Sequence, residues 1–290
     1  MCVEQDVARL GTVTADLLEC NRLLAAGDAT PEVRLRRGIA LDAMRDYSGA
    51  LAELTAALDG PLGPDDLADA HHRRSLLLRR SGRYAEAELD ATASLVAKLT
   101  SRGYIARAIA RSLRGDQQGA WTDTERALLL NPGEWEARAV RGRAFLAMDR
   151  WRDAIDDFDW VIELGECPVY SEELRVDRAE ALLAIGEAAR AVIDCSLALA
   201  ARVPCHPVSG AHRVHLVRAR AQLALGDAGA ALGDCFLAAA IEPGEAEVFE
   251  VRAAAYEAAG CPEDARSDLM RANDLREPRI VVTPLTSSLA

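Results

Sequence analysis

Small residues recur along the chain in pairs twelve positions apart: Gly38 and Ala50, Ser75 and Ala87, Ala108 and Ala120, Gly142 and Ala154, Ala179 and Ala191, Ala219 and Ala231, Ala253 and Ala265. The steps from one pair to the next are 37, 33, 34, 37, 40 and 34 residues, so length varies between pairs and never within them. A period in the thirties with a fixed internal offset marks a repeated supersecondary unit. Two antiparallel helices joined by a tight turn approach closely only where the side chains between them are minimal. Each helix therefore needs a Gly, Ala or Ser at the crossing. The pattern predicts seven helical hairpins, and strands nowhere.

Each pair encloses a turn signal. It reads Gly82-Arg83-Tyr84, Gly115-Asp116-Gln117, Gly186-Glu187-Ala188, Gly226-Asp227-Ala228 and Gly260-Cys261-Pro262 in five units. Glycine at that point can take the left-handed conformation that ends the first helix. The first and fourth units read Arg45-Asp46-Tyr47 and Asp149-Arg150-Trp151, without glycine. The second helix carries apolar or small residues at helical spacing, as in Ala154, Phe158 and Val161 or Ala191, Cys195 and Ala198. Prolines at 61, 132, 168, 204, 243 and 278 punctuate the ends. The units span about 31–64, 68–100, 101–134, 135–168, 172–205, 212–245 and 246–278.

Residues 1–30 fall outside this register. Leu10, Val13, Leu17, Leu18, Leu23 and Leu24 can still form an apolar stripe, interrupted at Gly11, on one or two helices that cap the array and end at Gly27-Asp28. Residues 279–290, with Pro284 and a Ser-Ser pair, are expected to be a flexible tail.

Composition agrees with an all-helical chain. Four Phe, five Tyr and four Trp are few for one large globular core, so Ala and Leu do most of the packing. The formal charge is −12, and Lys98 is the only lysine. Such a chain repels phosphate backbones, which argues against a nucleic-acid partner. No apolar run reaches the length of a membrane span, and no basic leader precedes an apolar segment at the N-terminus. A soluble, cytoplasmic protein with no membrane partner is expected, and the odd number of cysteines, seven, suits free thiols.

With a small residue at the eighth place, a bulky one at the eleventh, alanine at the twentieth and twenty-seventh and proline near the thirty-second, the chain resembles the tetratricopeptide repeat (TPR) family over roughly residues 31–278. Ala108, Ala120, Ala127 and Pro132 carry the resemblance best, followed by Gly142, Phe145, Ala154 and Phe158, and by Ala219, Ala231, Ala238 and Pro243. Arg111, Gln222, Ser94 and Val161 depart from it. The resemblance implies an all-α, right-handed superhelical solenoid whose first helices line a concave groove. It further implies a non-catalytic scaffold or adaptor that holds a protein or peptide segment there, without a cofactor. A regulatory subunit that changes superhelical shape on binding a peptide or metabolite is the second expectation.

By the same resemblance the groove-facing residues are Arg73, Leu76, Arg80, Arg102, Ile105, Ile109, Val140, Arg143, Val176, Asp177, Leu216 and Arg220. Basic in the second unit, apolar in the third, acidic in the fifth and basic in the sixth, they suit a peptide with its own charge pattern. The carboxylate clamp of chaperone-binding TPR proteins is not expected, since Asn21, Asn131 and Asn273 miss its positions. Cys205, His206, His212 and His215 cluster within eleven residues but lack the paired spacing of a zinc site, so no metal is expected. No phosphate loop or catalytic constellation is legible.

Overall fold

The computed structural model describes residues 2–165, 171–201 and 211–277. Among them are fifteen helices and no strand. The chain divides into two compact units, residues 1–150 and 151–290, and each is described by itself.

In the N-terminal unit, α1 (Cys2–Ala25) packs on α2 (Pro31–Ala43), and α2 pairs with α3 (Tyr47–Leu58). The next hairpins are α4 (Pro64–Arg80) with α5 (Tyr84–Ala97) and α6 (Ser101–Leu113) with α7 (Gln117–Leu130), followed by α8 (Trp135–Ala147). The C-terminal unit begins with α9 (Trp151–Leu164). Three hairpins follow: α10 (Ser171–Ala184) with α11 (Ala188–Ala201), α12 (Ala211–Ala224) with α13 (Ala228–Ile241), and α14 (Ala246–Ala258) with α15 (Pro262–Arg276).

All fourteen small residues of the twelve-residue pairs are buried. Contact at the crossing is close: a Cβ added to Gly38 would lie 3.0 Å from Leu54 Cγ and 3.4 Å from the Ala50 carbonyl. Nothing larger than glycine fits there without a shift in α3. Gly11 does not interrupt α1, which runs unbroken to Ala25. The expected tail at 279–290, Cys205 and His206 lie outside the described residues.

The turn between helices is the same device in every hairpin. Gly115, for example, has φ +86°, and Asp116 N–H closes back onto the Arg111 carbonyl at 2.9 Å, which satisfies an end carbonyl of α6. The two turns without glycine adopt this geometry too, with Arg45 at φ 64° and Asp149 at φ 58°. These are the only non-glycine residues with positive φ among the described residues. The following residue often caps the second helix: Asp46, Asp116 and Asp227 each accept a backbone N–H, from Gly49, Gly119 and Ala230, at 2.9 Å.

Within each unit, first helices approach the first helices of neighbouring hairpins, α2 to α4 to α6 to α8 and α10 to α12 to α14. Second helices make no such approach to one another among the described residues. The first helices therefore form the inner, tighter face of each unit, and the second helices form a splayed outer one.

Candidate functional site

A ladder of arginine–carboxylate pairs runs through the hairpins. An arginine directly precedes the small residue of each first helix, and an acid follows it by sixteen positions on the second helix. Arg107 donates from Nε and Nη2 to both Asp123 oxygens at 2.8 and 2.7 Å. Arg74 grips Asp90, Arg178 grips Asp194, Arg218 grips Asp234 and Arg252 grips Asp268 in the same way, and Arg37 reaches Glu53 at 2.7 Å. All five aspartates are buried. Burial alone would raise the Asp234 carboxyl, but hydrogen bonds from His215 and Arg218 and the charge on Arg218 outweigh it and hold it below the ordinary range. Hydrogen bonds explain two departures in the sequence, of which only the first belongs to the ladder. Arg111 donates to Asp123 and to Glu88 of the preceding hairpin, and the Ser94 hydroxyl bonds the Ala68 carbonyl at 2.8 Å.

His215 belongs to this scaffold, with Nδ1 2.8 Å from Asp234 Oδ1, and is thus turned into its own hairpin. Cys195 and Cys235 are fully buried, and desolvation pushes each thiol up to about 12. They fill space beside the ladder and are not poised as nucleophiles.

The structure places the expected groove residues on the inner face but at different depths. Ile105, Val140, Val176, Asp177 and Leu216 are buried, because neighbouring first helices pack against the flank on which they lie. Val140, Val176, Asp177 and Leu216 support the face and do not form its surface, whereas Ile105 keeps an edge in a cavity on it. The alternating charges expected in the C-terminal unit are largely neutralised from within. Arg213 of α12 binds Asp177 at 2.8 Å and Glu180 at 2.7 Å, both on α10, and Arg220 reaches Glu247 of α14 at 3.4 Å. Arg73 is tied to Asp69 at 2.7 Å, and Arg80 lies 4.1 Å over the Tyr47 ring.

Two cavities open among the first helices of the N-terminal unit: one of about 390 Å³ against α1, where Arg36 faces Asp16 at 3.5 Å, and one of about 280 Å³ further along the inner face. The second holds most of the expected residues. It brings together Arg73, Leu76, Arg102, Ile105 and Ile109 of the expected set, with His72 and Glu136. Leu76, Ile105, Ala106 and Ile109 make an apolar floor. Among the described residues Arg102 has no ion-pair partner, and Arg79 Nε and His72 Nδ1 are buried without a hydrogen bond. Burial, followed by the nearby Arg73 and Arg102 charges, lowers the His72 pKa against the pull of Asp69. Loss of water raises the Glu136 carboxyl, with Glu134 adding to it and Arg79 and Arg102 opposing. An unpaired guanidinium beside an aliphatic floor is what a carboxylate with a neighbouring apolar group would complete.

A larger cavity of about 690 Å³ lies on the outer face between α3 and α5. Its main charges are already matched, Arg74 with Asp90 and Arg83 with Glu86 at 2.6 Å. Size alone favours this cavity, but the unpaired groups favour the inner one.

No family model matches the chain, and no curated protein does. Solved structures do match. A tetratricopeptide repeat protein from Parabacteroides merdae is 20% identical, with 86% of this chain and 94% of that one covered and a TM-score of 0.63. The APC/C hetero-tetramer Cut9-Hcn1 gives 15% identity, 84% and 46% coverage and a TM-score of 0.72. YrrB, described as a TPR protein with an unusual peptide-binding site, gives 17%, 64% and 92%, and 0.50. The chain thus has the all-α helical-hairpin repeat fold of the tetratricopeptide repeat proteins.

Among the described residues no helix is long and apolar enough to cross a membrane.

Proposed function

We propose that this chain is a non-catalytic scaffold that holds a protein or peptide segment on its inner face, centred on the cavity between α4, α6 and α8. The observation that carries this is the pairing of an aliphatic floor, Leu76, Ile105 and Ile109, with the unpartnered Arg102 guanidinium and the buried, unsatisfied His72 nitrogen. Such a site favours a segment with a carboxylate side chain next to an aliphatic one. Residues 1–150 carry 21 basic and 22 acidic residues, so this unit does not repel an acidic segment as the whole chain would. Neighbouring proteins of the same fold support a protein ligand: one is an assembly of Cut9 with Hcn1, another is described by its peptide-binding site. Nucleic acid and lipid form no part of this proposal, and a cytoplasmic setting suits its free thiols.

A phage-displayed random peptide library selected on the intact chain tests it. Selection should enrich peptides that pair Asp or Glu with Leu, Ile or Val, and Arg102→Glu with Ile109→Asp should abolish their binding while helical content is unchanged. Enrichment of basic peptides, or binding indifferent to both substitutions, would refute the assignment.

A further inference from the structure

The cavity between α4, α6 and α8 is built from groups that hold protons as well as from apolar ones. His72 lines it about one turn of α4 after Asp69, with Arg73 beside it, Arg102 supplied by α6 and Glu136 by α8. Asp69 is taken by Arg73 at 2.7 Å, and His72 has no carboxylate partner among the described residues. The Nδ1 atom of His72 is covered by protein and makes no hydrogen bond. The adjacent His71 is the contrast, because its Nδ1 lies 2.9 Å from Asp90 Oδ1 of α5, within the ladder. His71 thus has its counter-charge inside the fold, and His72 does not.

The acids of the helices packed beside this stretch of α4 are engaged elsewhere. Asp90 is held by His71 and Arg74, Glu86 by Arg83, Glu88 by Arg111 and Arg114, and Glu53 of α3 by Arg37. The charges that face His72 are therefore Asp69 and Arg73 on its own helix, Arg102 of α6, and Glu136 across the cavity. An imidazolium there sits beside two guanidinium groups with little water. Burial, followed by the Arg73 and Arg102 charges, lowers the His72 pKa against the pull of Asp69, so the ring is neutral near neutrality.

A carboxylate docked on Arg102 reverses that balance. It offsets a charge that opposes the imidazolium and brings an opposite one into the cavity, and both effects favour the protonated ring whatever its starting value. Glu136 responds in the same direction, since Arg79 and Arg102 help to keep it ionised and a ligand carboxylate sharing Arg102 weakens that hold. Coupling of this kind is reciprocal: a ligand that strengthens proton binding is itself held more tightly when the proton is present. The complex raises the His72 value above that of the free chain. The gain in affinity is therefore complete below the free value and lost as pH rises through the bound one.

We propose that the inner site takes up its acidic segment together with a proton on His72, so that the segment is held more tightly in mildly acidic surroundings than at neutrality. This regulation rests on the inner-face reading above, with His72 as its sensor and Glu136 adding to it at lower pH.

The probe is a labelled peptide of about eight residues with blocked ends and one Asp flanked by leucines. It is titrated into the intact chain by fluorescence anisotropy at about pH 7.5 and about pH 5.5, both above the range in which its own Asp titrates. Binding should tighten by about fivefold at the lower pH. The gain should shrink to less than about twofold in His72→Gln and persist in Glu136→Gln. A peptide with Asn for Asp should show no gain. The wild-type chain gives a second reading that stands even where His72→Gln fails to fold: the His72 imidazole, followed by NMR, should titrate about one pH unit higher in the complex than in the free chain. A gain unchanged in His72→Gln, or a His72 titration that the probe does not move, overturns the proposal and leaves the inner-face reading standing. No binding of the probe at either pH, or binding indifferent to Arg102→Glu, overturns both.

Discussion

Arg252 and Asp268 stand sixteen residues apart in sequence and face each other fork to fork, with Nε to Oδ2 and Nη2 to Oδ1 both at 2.6 Å. The carboxylate is buried and the guanidinium nearly so, with 7% and 13% of each side chain exposed. Removing one member leaves the other without its partner inside the hairpin. Asp268→Ala should cost about 3 kcal/mol. The double replacement Arg252→Met with Asp268→Leu should cost much less, because no buried charge is left over. Urea denaturation of the single and double variants checks this. Equal losses in both would show that packing, and not the ion pair, sets the cost.

The ladder also sets a response to acid. Asp90 is held below its ordinary range, since burial, which raises it, is outweighed by hydrogen bonds from Arg74 and His71 and by their charges. Asp234 is held down similarly. A carboxyl whose folded value is depressed stabilises the fold above its unfolded value, and that contribution is lost as pH falls through the folded value. The melting temperature should stay level from neutrality to about pH 5 and fall steeply below about pH 4. In Asp234→Asn the acid limb should be shallower. An acid limb as steep as that of the wild type would contradict the assignment.

The hairpins and their turns were legible in sequence because backbone geometry admits few residue types there. Ala50, Ala120 and Ala231 are buried where two helices cross, and Gly115 and Gly226 have the positive φ that their turns demand. The ladder was equally regular, with Arg37, Arg74, Arg107, Arg141, Arg178, Arg218 and Arg252 each preceding a small residue and followed sixteen later by an acid. It stayed hidden because a charged residue on an amphipathic helix ordinarily belongs to the solvated face. Its pairing shows only when both periods are laid together. The inner face was legible as a set of positions but not in depth. Asp177 counts as a surface acid until Arg213 of the next hairpin is seen to cover it.

Arg45 holds a left-handed conformation that glycine holds in most of the other hairpins. That conformation costs an L-residue about 1–2 kcal/mol. Arg45→Gly should therefore raise stability by about 0.5–1 kcal/mol, after allowing for the greater freedom of glycine in the unfolded chain. Gly226→Ala should lower it by a similar amount. Differential scanning calorimetry reads both, and a destabilised Arg45→Gly would count against the strain.

Ala120 is fully buried at the crossing of α6 and α7. Ala120→Leu should cost about 1–3 kcal/mol through overpacking, while Arg152→Leu on the exposed side of α9 should change stability by less than about 0.5 kcal/mol. Equal melting temperatures for the two variants would refute the register of the repeat.

Hydrogen–deuterium exchange of the intact chain, with and without a peptide from the library selection, tests the inner-face assignment most directly. Protection should rise in α4 and α6, around Leu76, Arg102 and Ile109, and leave α5 and α7 unchanged. Protection confined to α5 and α7, with none on the first helices, would contradict it.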